Sequence, residues 1–190
     1  LLMNISESLA SRKNISPYPN NIPFVQNVSY MSLTIYQAGQ VPIKTIGIQQ
    51  DMVSTVNYLT SLARQAEGFD RFEIANSEKS RILIEIVIAQ EETSFEDIRV
   101  NGSFTPGITG VRIVNEVGVA RNYLPTCSAY KNHDSFSDVV TYLSDDYAKQ
   151  YAEKNVSFER KTRVYLTRSI SYITSGEEAV RLNESLLALS

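Results

Sequence analysis

The spacing of apolar residues changes period several times along the chain, and each change marks an element. In residues 28–36, Val-Ser-Tyr-Met-Ser-Leu-Thr-Ile-Tyr, the side chains alternate. Met31, Leu33 and Ile35 fall on one side, and Tyr30, Ser32, Thr34 and Tyr36 on the other. A period of two in a β-branched and aromatic stretch predicts a strand. Gln37-Ala38-Gly39-Gln40 reads as a hairpin turn, with a returning strand from Ile43 to Ile48. From 52 to 66 the period lengthens. Met52, Val53, Val56, Leu59, Leu62, Ala63 and Ala66 form the stripe of a helix packed on a sheet. Asp51 stands at its start, where a carboxylate complements the helix dipole, and Gly68 supplies a stop.

Residues 82–89, Ile-Leu-Ile-Glu-Ile-Val-Ile-Ala, are apolar on both sides except at Glu85. That is the pattern of a central strand covered on both faces. A buried Glu85 requires a partner or a shifted pKa. Ser94 to Ile98 reads as one capped helical turn, and 101–110 as a loop with three glycines. Strands follow at 111–115 and about 119–124, joined around Glu116-Val117-Gly118. Residues 135–151 carry an apolar stripe from Phe136 through Val139, Val140, Leu143 and Tyr147 to Tyr151, behind a cap at Asp134 or Ser135. A long strand is expected at 162–173 and a C-terminal helix from Gly176 to Leu189. At the other end, residues 4–13 predict a short helix. The prolines at 17, 19 and 23 then make an extended connector. The fold class is therefore α+β, a mixed β-sheet flanked by helices. It divides into an N-terminal helix and Pro-rich connector, 1–26, and an α+β domain, 27–190.

Composition narrows the chemistry without selecting any. The 190 residues include one Cys, one His and no Trp, with a formal charge of −3. One Cys forbids an intrachain disulfide and a Cys-rich zinc cage, and one His forbids a multi-histidine metal site. No metal and no cofactor are expected. A mildly acidic chain is a poor nucleic-acid binder, and no apolar run reaches the roughly 18 residues that span a bilayer. The start, Leu1-Leu2-Met3-Asn4-Ile5, has neither the basic n-region nor the long apolar h-region of a signal peptide. Asn-x-Ser triplets at Asn4, Asn14, Asn27, Asn101, Asn155 and Asn183 are read as products of an Asn- and Ser-rich composition. A free thiol without disulfides fits a reducing compartment, so the expected location is cytoplasmic.

Each candidate constellation has a plain structural reading. Cys127 and His133 could form an activated thiolate only if the fold brings them together. Otherwise they are a half-buried Cys and a loop His. Asp134, Asp138, Asp145 and Asp146 read as helix-dipole partners and a solvated face rather than a cation site. Gly102, Gly107 and Gly110 match no phosphate-binding loop, because a strand follows them and not a helix. Arg160-Lys161-Thr162-Arg163 with Arg168 reads as a charged strand entry facing water.

Several ordered stretches resemble the AMMECR domain, named for the Alport syndrome, mental retardation, midface hypoplasia and elliptocytosis chromosomal region protein. They are Ser32-Leu33-Thr34-Ile35 with the turn to Gly39, the run Ala63 to Phe72, and Ile84-Glu85-Ile86-Val87-Ile88. Further along come Gly110-Val111-Arg112-Ile113-Val114, Gly118 to Leu124-Pro125, and Arg163-Val164-Tyr165. The resemblance covers roughly residues 27–175. The family's Asp-Pro-Arg-Phe is Asp70-Arg71-Phe72 here, without the Pro. Its signature Leu-Arg-Gly-Cys-Ile-Gly falls on Pro42-Ile43-Lys44-Thr45-Ile46-Gly47, of which only Ile46 and Gly47 fit. Thr45 stands where the family has Cys, and a Thr hydroxyl needs an activating base to become a nucleophile.

The resemblance implies a larger and a smaller lobe with a cleft between them. It implies a binding or accessory module using the cleft near residues 42–47, with an unknown protein or small-molecule partner. The alternative is a small-molecule-handling enzyme or subunit in a modification pathway, since the family is associated with Memo-like and radical S-adenosylmethionine proteins. On either reading the ligand-binding candidates are Lys44, Thr45, Gly47, Arg121, Tyr123 and His133, with no catalytic residue assigned. A third reading, a protein that presents a sheet edge, points to the β-rich run 162–173.

Overall fold

Alternating apolar residues build a sheet whose described pairings are all antiparallel. The structure is a computed structural model that describes residues 2–15, 28–151, 162–175 and 178–181. The elements in order are α1 (Leu2–Ser11), β1 (Tyr30–Gln37), β2 (Ile43–Gly47) and α2 (Met52–Gln65). A 3-10 turn (Phe69–Arg71), β3 (Ser80–Thr93), α3 (Phe95–Asn101), β4 (Thr109–Asn115) and β5 (Ala120–Tyr123) follow. The last are α4 (Thr126–Lys131), α5 (Phe136–Tyr151), β6 (Thr162–Ser175) and β7 (Glu178–Arg181). Hydrogen bonding runs in the order β2-β1-β3-β6-β4-β5, with β7 against β6. The α+β class follows directly. Inside it, the described pairings are antiparallel where a mixed sheet was expected. Short turns such as 38–42 and 116–119 reverse the chain, and a parallel pair would need a long crossover.

The chain divides into two units, Leu1–Ile88 with Ile170–Ser190, and Ala89–Ser169. In the first, β1 lies between β2 and β3, with Leu33 opposite both Thr45 and Ile84. Met31, Leu33 and Ile35 meet Val56, Leu59 and Ala63 of α2 in one core, as the two periodicities required. Asp51 caps α2, its carboxylate accepting from Ser54 N at 2.8 Å and Ser54 Oγ at 2.6 Å. These bonds hold the Asp51 carboxyl below the usual carboxylate range. Ile5 and Leu9 of α1 belong to the same core. Arg64 fastens α1 by donating to Ser8 O and Lys13 O at 2.9 and 2.7 Å, and Asn57 bonds both backbone groups of Ile15. The opposite face of β1 is covered as well: Tyr30, Ser32 and Thr34 are buried, and Glu85, 1% exposed, is engaged opposite Ser32.

In the second unit, β4 pairs with β5 and β6, with Ile113 opposite Val164, and Val111, Ile113, Ile98, Val139, Leu143 and Val164 are all buried. Ser94 caps α3 by accepting from Asp97 N at 3.0 Å. Asp138 closes a reciprocal cap with Ser135 at the start of α5.

Three expectations change. Residues 178–181, assigned by sequence to a helix, form β7 instead, with Tyr172 opposite Arg181 and Ser175 opposite Glu178. Pairing to a long neighbouring strand outweighs a helical spacing that its few residues share with other patterns. The rest of that expected helix lies outside the described residues, as does the connector from residue 16 to 27. Second, β6 lies between β3 and β4, so the run 162–173 is interior, and the edge strands of that order are β2 and β5. Third, α4 was not foreseen.

Candidate functional site

The six candidate residues fall into two groups, one in each unit. Lys44, Thr45 and Gly47 are on β2. Arg121 and Tyr123 are on β5, and His133 follows α4.

On β2 the alternation turns Thr45 inward, 8% exposed, beside α2. Its hydroxyl donates to the Leu59 carbonyl at 3.1 Å. Gly47 is held bare by Tyr58, because a Cβ there would lie 2.6 Å from the ring's Cε1. Lys44 and Gly47 are partly exposed. The flanking Val41 and Ile48 are 85% and 42% exposed, and Tyr58 is 40% exposed. This segment is therefore an edge strand with apolar shoulders, and its hydroxyl is committed to a helix carbonyl.

In the second unit, Arg121 and Tyr123 are two apart on β5 and share a face, which meets α5. Arg121 Nε lies 3.2 Å from Asp146 Oδ2, and Tyr123 packs edge-on against Tyr142, one turn earlier on α5. Tyr123 is wholly buried. Its hydroxyl stands 2.9 Å from His133 Nδ1 and 3.3 Å from Ser128 Oγ. The Tyr123 and His133 rings stack at 5.7 Å. Burial pushes the Tyr123 phenol up to about 12, against the opposing bond from Ser128 and with a smaller push from Cys127, Tyr142 and Asp138. At neutral pH it is a hydrogen-bond donor.

The short helix α4 makes this pairing. It ends at Asn132 in the left-handed region (φ +53°), and His133 N closes the turn on Ser128 O at 3.0 Å. That closure carries the imidazole back to Tyr123. The sequence signal was Asn132, a residue that tolerates the left-handed region.

Other candidates have structural roles. Asp138 caps α5 and Asp146 pairs with Arg121. Among the described residues no three His, Cys, Asp or Glu side chains stand together as metal ligands would. Cys127 is buried in α4. Gly102 ends α3 in the left-handed region. Arg163 and Arg168 are exposed on β6, and Arg160 and Lys161 lie outside the described residues. No described helix is long and apolar enough to cross a membrane. A groove of about 810 Å³ in the first unit, between the end of α1, the 3-10 turn and the loop 72–78, is lined by none of the six candidates.

No family model and no curated protein matches the sequence. Among solved structures, the chain is similar to the crystal structure of the uncharacterized protein PH0010 from Pyrococcus horikoshii. The two are 12% identical with a TM-score of 0.60, over 94% of this chain and 91% of that one. At that identity the likeness shows the fold alone.

Proposed function

We propose that the chain is an AMMECR-like accessory module that binds a partner or small molecule at the β2 segment 42–47 and performs no chemistry there. Thr45 carries this reading. The residue at the family's Cys position is 8% exposed, and its hydroxyl proton is donated to the Leu59 carbonyl. A nucleophilic hydroxyl needs instead a base to receive that proton. The edge position of β2 and the exposed Val41 and Ile48 supply what a binding segment uses, namely unpaired backbone and apolar contact.

Thr45→Val keeps the shape and removes the donor. It is expected to lower stability by about 1 kcal/mol in urea denaturation and to leave the protein folded. Wild-type protein incubated with a metabolite extract, read by mass spectrometry, is expected to consume nothing in a Thr45-dependent way. A turnover that disappears in folded Thr45→Val overturns the reading.

The Tyr123–His133 pair supports a second reading, a small-molecule-handling subunit of the modification pathway that the resemblance implies. Tyr123 is buried, so a ligand would meet the half-exposed His133, whose Nδ1 is held by the phenol. Unchanged cellular activity after Arg121→Ala and His133→Ala, with the fold intact, sinks it.

A further inference from the structure

We propose that the groove at the end of α1 is a docking site for a partner segment that carries arginine or lysine beside apolar residues. This stands independently of any role for residues 42–47, since it uses none of them.

The groove's volume of about 810 Å³ lies within the roughly 300–1,000 Å³ range of ligand sites. Its floor is apolar but largely covered, with Leu9, Phe69 and Ile74 at 1%, 6% and 6% exposure, so the half-exposed Phe72 and the exposed Ala75 offer the open apolar surface. Its rim is acidic: Asp70, Glu73 and Glu78 line it against a single base, Arg12. Lys79 neutralises Glu73 at 2.7 Å. Among the described residues the Glu78 carboxylate takes no partner. With Asp70 paired to Arg12 and Glu73 to Lys79, Glu78 is the carboxylate left to attract a cation, and the half-exposed Phe72 gives that cation's hydrocarbon stem a surface.

Arg12 shows that the groove accepts such a group. Its guanidinium lies 5.9 Å from the Phe69 ring centroid and pairs with Asp70. The chain thus places one of its own cations where a partner's arginine would sit. That resident cation is weakly held. The Arg12 and Asp70 side chains are 65% and 81% exposed, and an ion pair in water is easily exchanged. Arg12 also has a backbone φ of +57°, a left-handed conformation that non-glycine residues rarely adopt. A bare polyamine would satisfy Glu78 and leave Phe72 and Ala75 unused, so the occupant is a peptide with both kinds of side chain.

The test uses the full chain and a fluorescein-labelled peptide, Gly-Leu-Arg-Leu-Lys-Gly, followed by fluorescence anisotropy at low salt. A peptide with Glu in place of Arg and Lys is the control. The basic peptide is expected to bind saturably and the acidic one not at all. Glu78→Gln is expected to weaken binding about three- to fivefold, the size of one exposed charge pair. Glu116→Gln, an exposed carboxylate in the β4–β5 turn, is expected to change nothing. Arg12→Ala removes the resident competitor and is expected to tighten binding severalfold.

Absence of saturation overturns the proposal, as do equal effects of Glu78→Gln and Glu116→Gln. Weaker binding in Arg12→Ala with an unchanged melting temperature also overturns it, because Arg12 would then be part of the binding surface and not a resident competitor for it. Spermine that displaces the peptide with equal affinity and the same dependence on Glu78 overturns the peptide assignment. Glu78 is exposed, so its variant reports on the groove even if Arg12→Ala fails to fold.

Discussion

Tyr123→Ala is expected to destabilise the protein by about 3–5 kcal/mol, measured by urea denaturation, because it empties the centre of an aromatic cluster. Tyr123 is wholly buried, with Phe104 at 6.4 Å, Tyr142 at 5.5 Å and His133 at 5.7 Å between ring centroids. Tyr123→Phe keeps the ring and removes the hydroxyl shared with His133 and Ser128. It is expected to cost about 1–2 kcal/mol. The two variants also differ from wild type in alkali. The folded phenol ionises at about 12, against an ordinary 10.0. Between those values the folded chain keeps a proton that the unfolded chain releases, so stability falls as pH rises. The contribution is complete below pH 10.0 and is lost as pH rises through about 12. Tyr123→Phe is expected to lose that component of the alkaline slope. A Tyr123→Phe protein with the full wild-type slope, or a Tyr123→Ala protein within about 1 kcal/mol of wild type, contradicts this account of the cluster.

The elements that could be read from sequence are those whose burial follows a period. β1, α2 and α5 show an apolar repeat and β3 a continuous apolar run, each over eight or more residues, and each stands within a few residues of its expected place. Their caps were legible too, because Asp51, Ser94 and Ser135 are side chains whose oxygens bond the first helical N–H groups. β7 and α4 were not legible for a common reason. They are four and six residues long, and the sequence around each fits another reading, a longer helix around β7 and a loop around α4. β7 is decided by the neighbouring β6 and α4 by the closure at Asn132, and neither is a property of the segment alone. The covering of both faces of β1 was equally hidden, since Ser32 and Thr34 look like solvent-facing residues in an alternating strand.

The candidate site was legible by residue type and not by role. Tyr123 and His133 are candidates by their chemistry, and they meet through a turn whose sequence mark is Asn132. Arg121, a ligand candidate by residue type, is engaged with Asp146. Thr45 stands at a signature position by resemblance alone, and its hydroxyl faces a helix carbonyl. The groove beside α1 left no local mark, because its walls come from two stretches far apart in the chain, 9–12 and 69–78. Proximity across sixty residues is a product of packing, which no window of sequence reports.

The second large effect is expected from Gly110→Ala, which is predicted to lose about 2–3 kcal/mol, or fail to fold, with no change in charge or polarity. Gly110 sits in β4 directly opposite Thr167 of β6. A Cβ there would lie 2.6 Å from Thr167 Oγ1, 2.7 Å from the Tyr123 carbonyl oxygen and 3.1 Å from Pro125 Cδ. The Thr167 side chain could yield. The Tyr123 carbonyl belongs to the backbone of the adjoining strand, and moving it displaces the turn that holds His133. Gly47→Ala provides the contrast: its Cβ would also meet an atom at 2.6 Å, but that atom is Cε1 of the Tyr58 ring. A ring 40% exposed can swing outward, so the loss there is expected to stay below about 1 kcal/mol. Adding Thr167→Ala to Gly110→Ala removes the first clash and leaves the second. Rescue is therefore expected to recover less than half of the lost stability, and the Tyr123 component of the alkaline slope should stay diminished. Full recovery in the double variant would assign the strain to the Thr167 side chain and show that the β5 backbone is free to move.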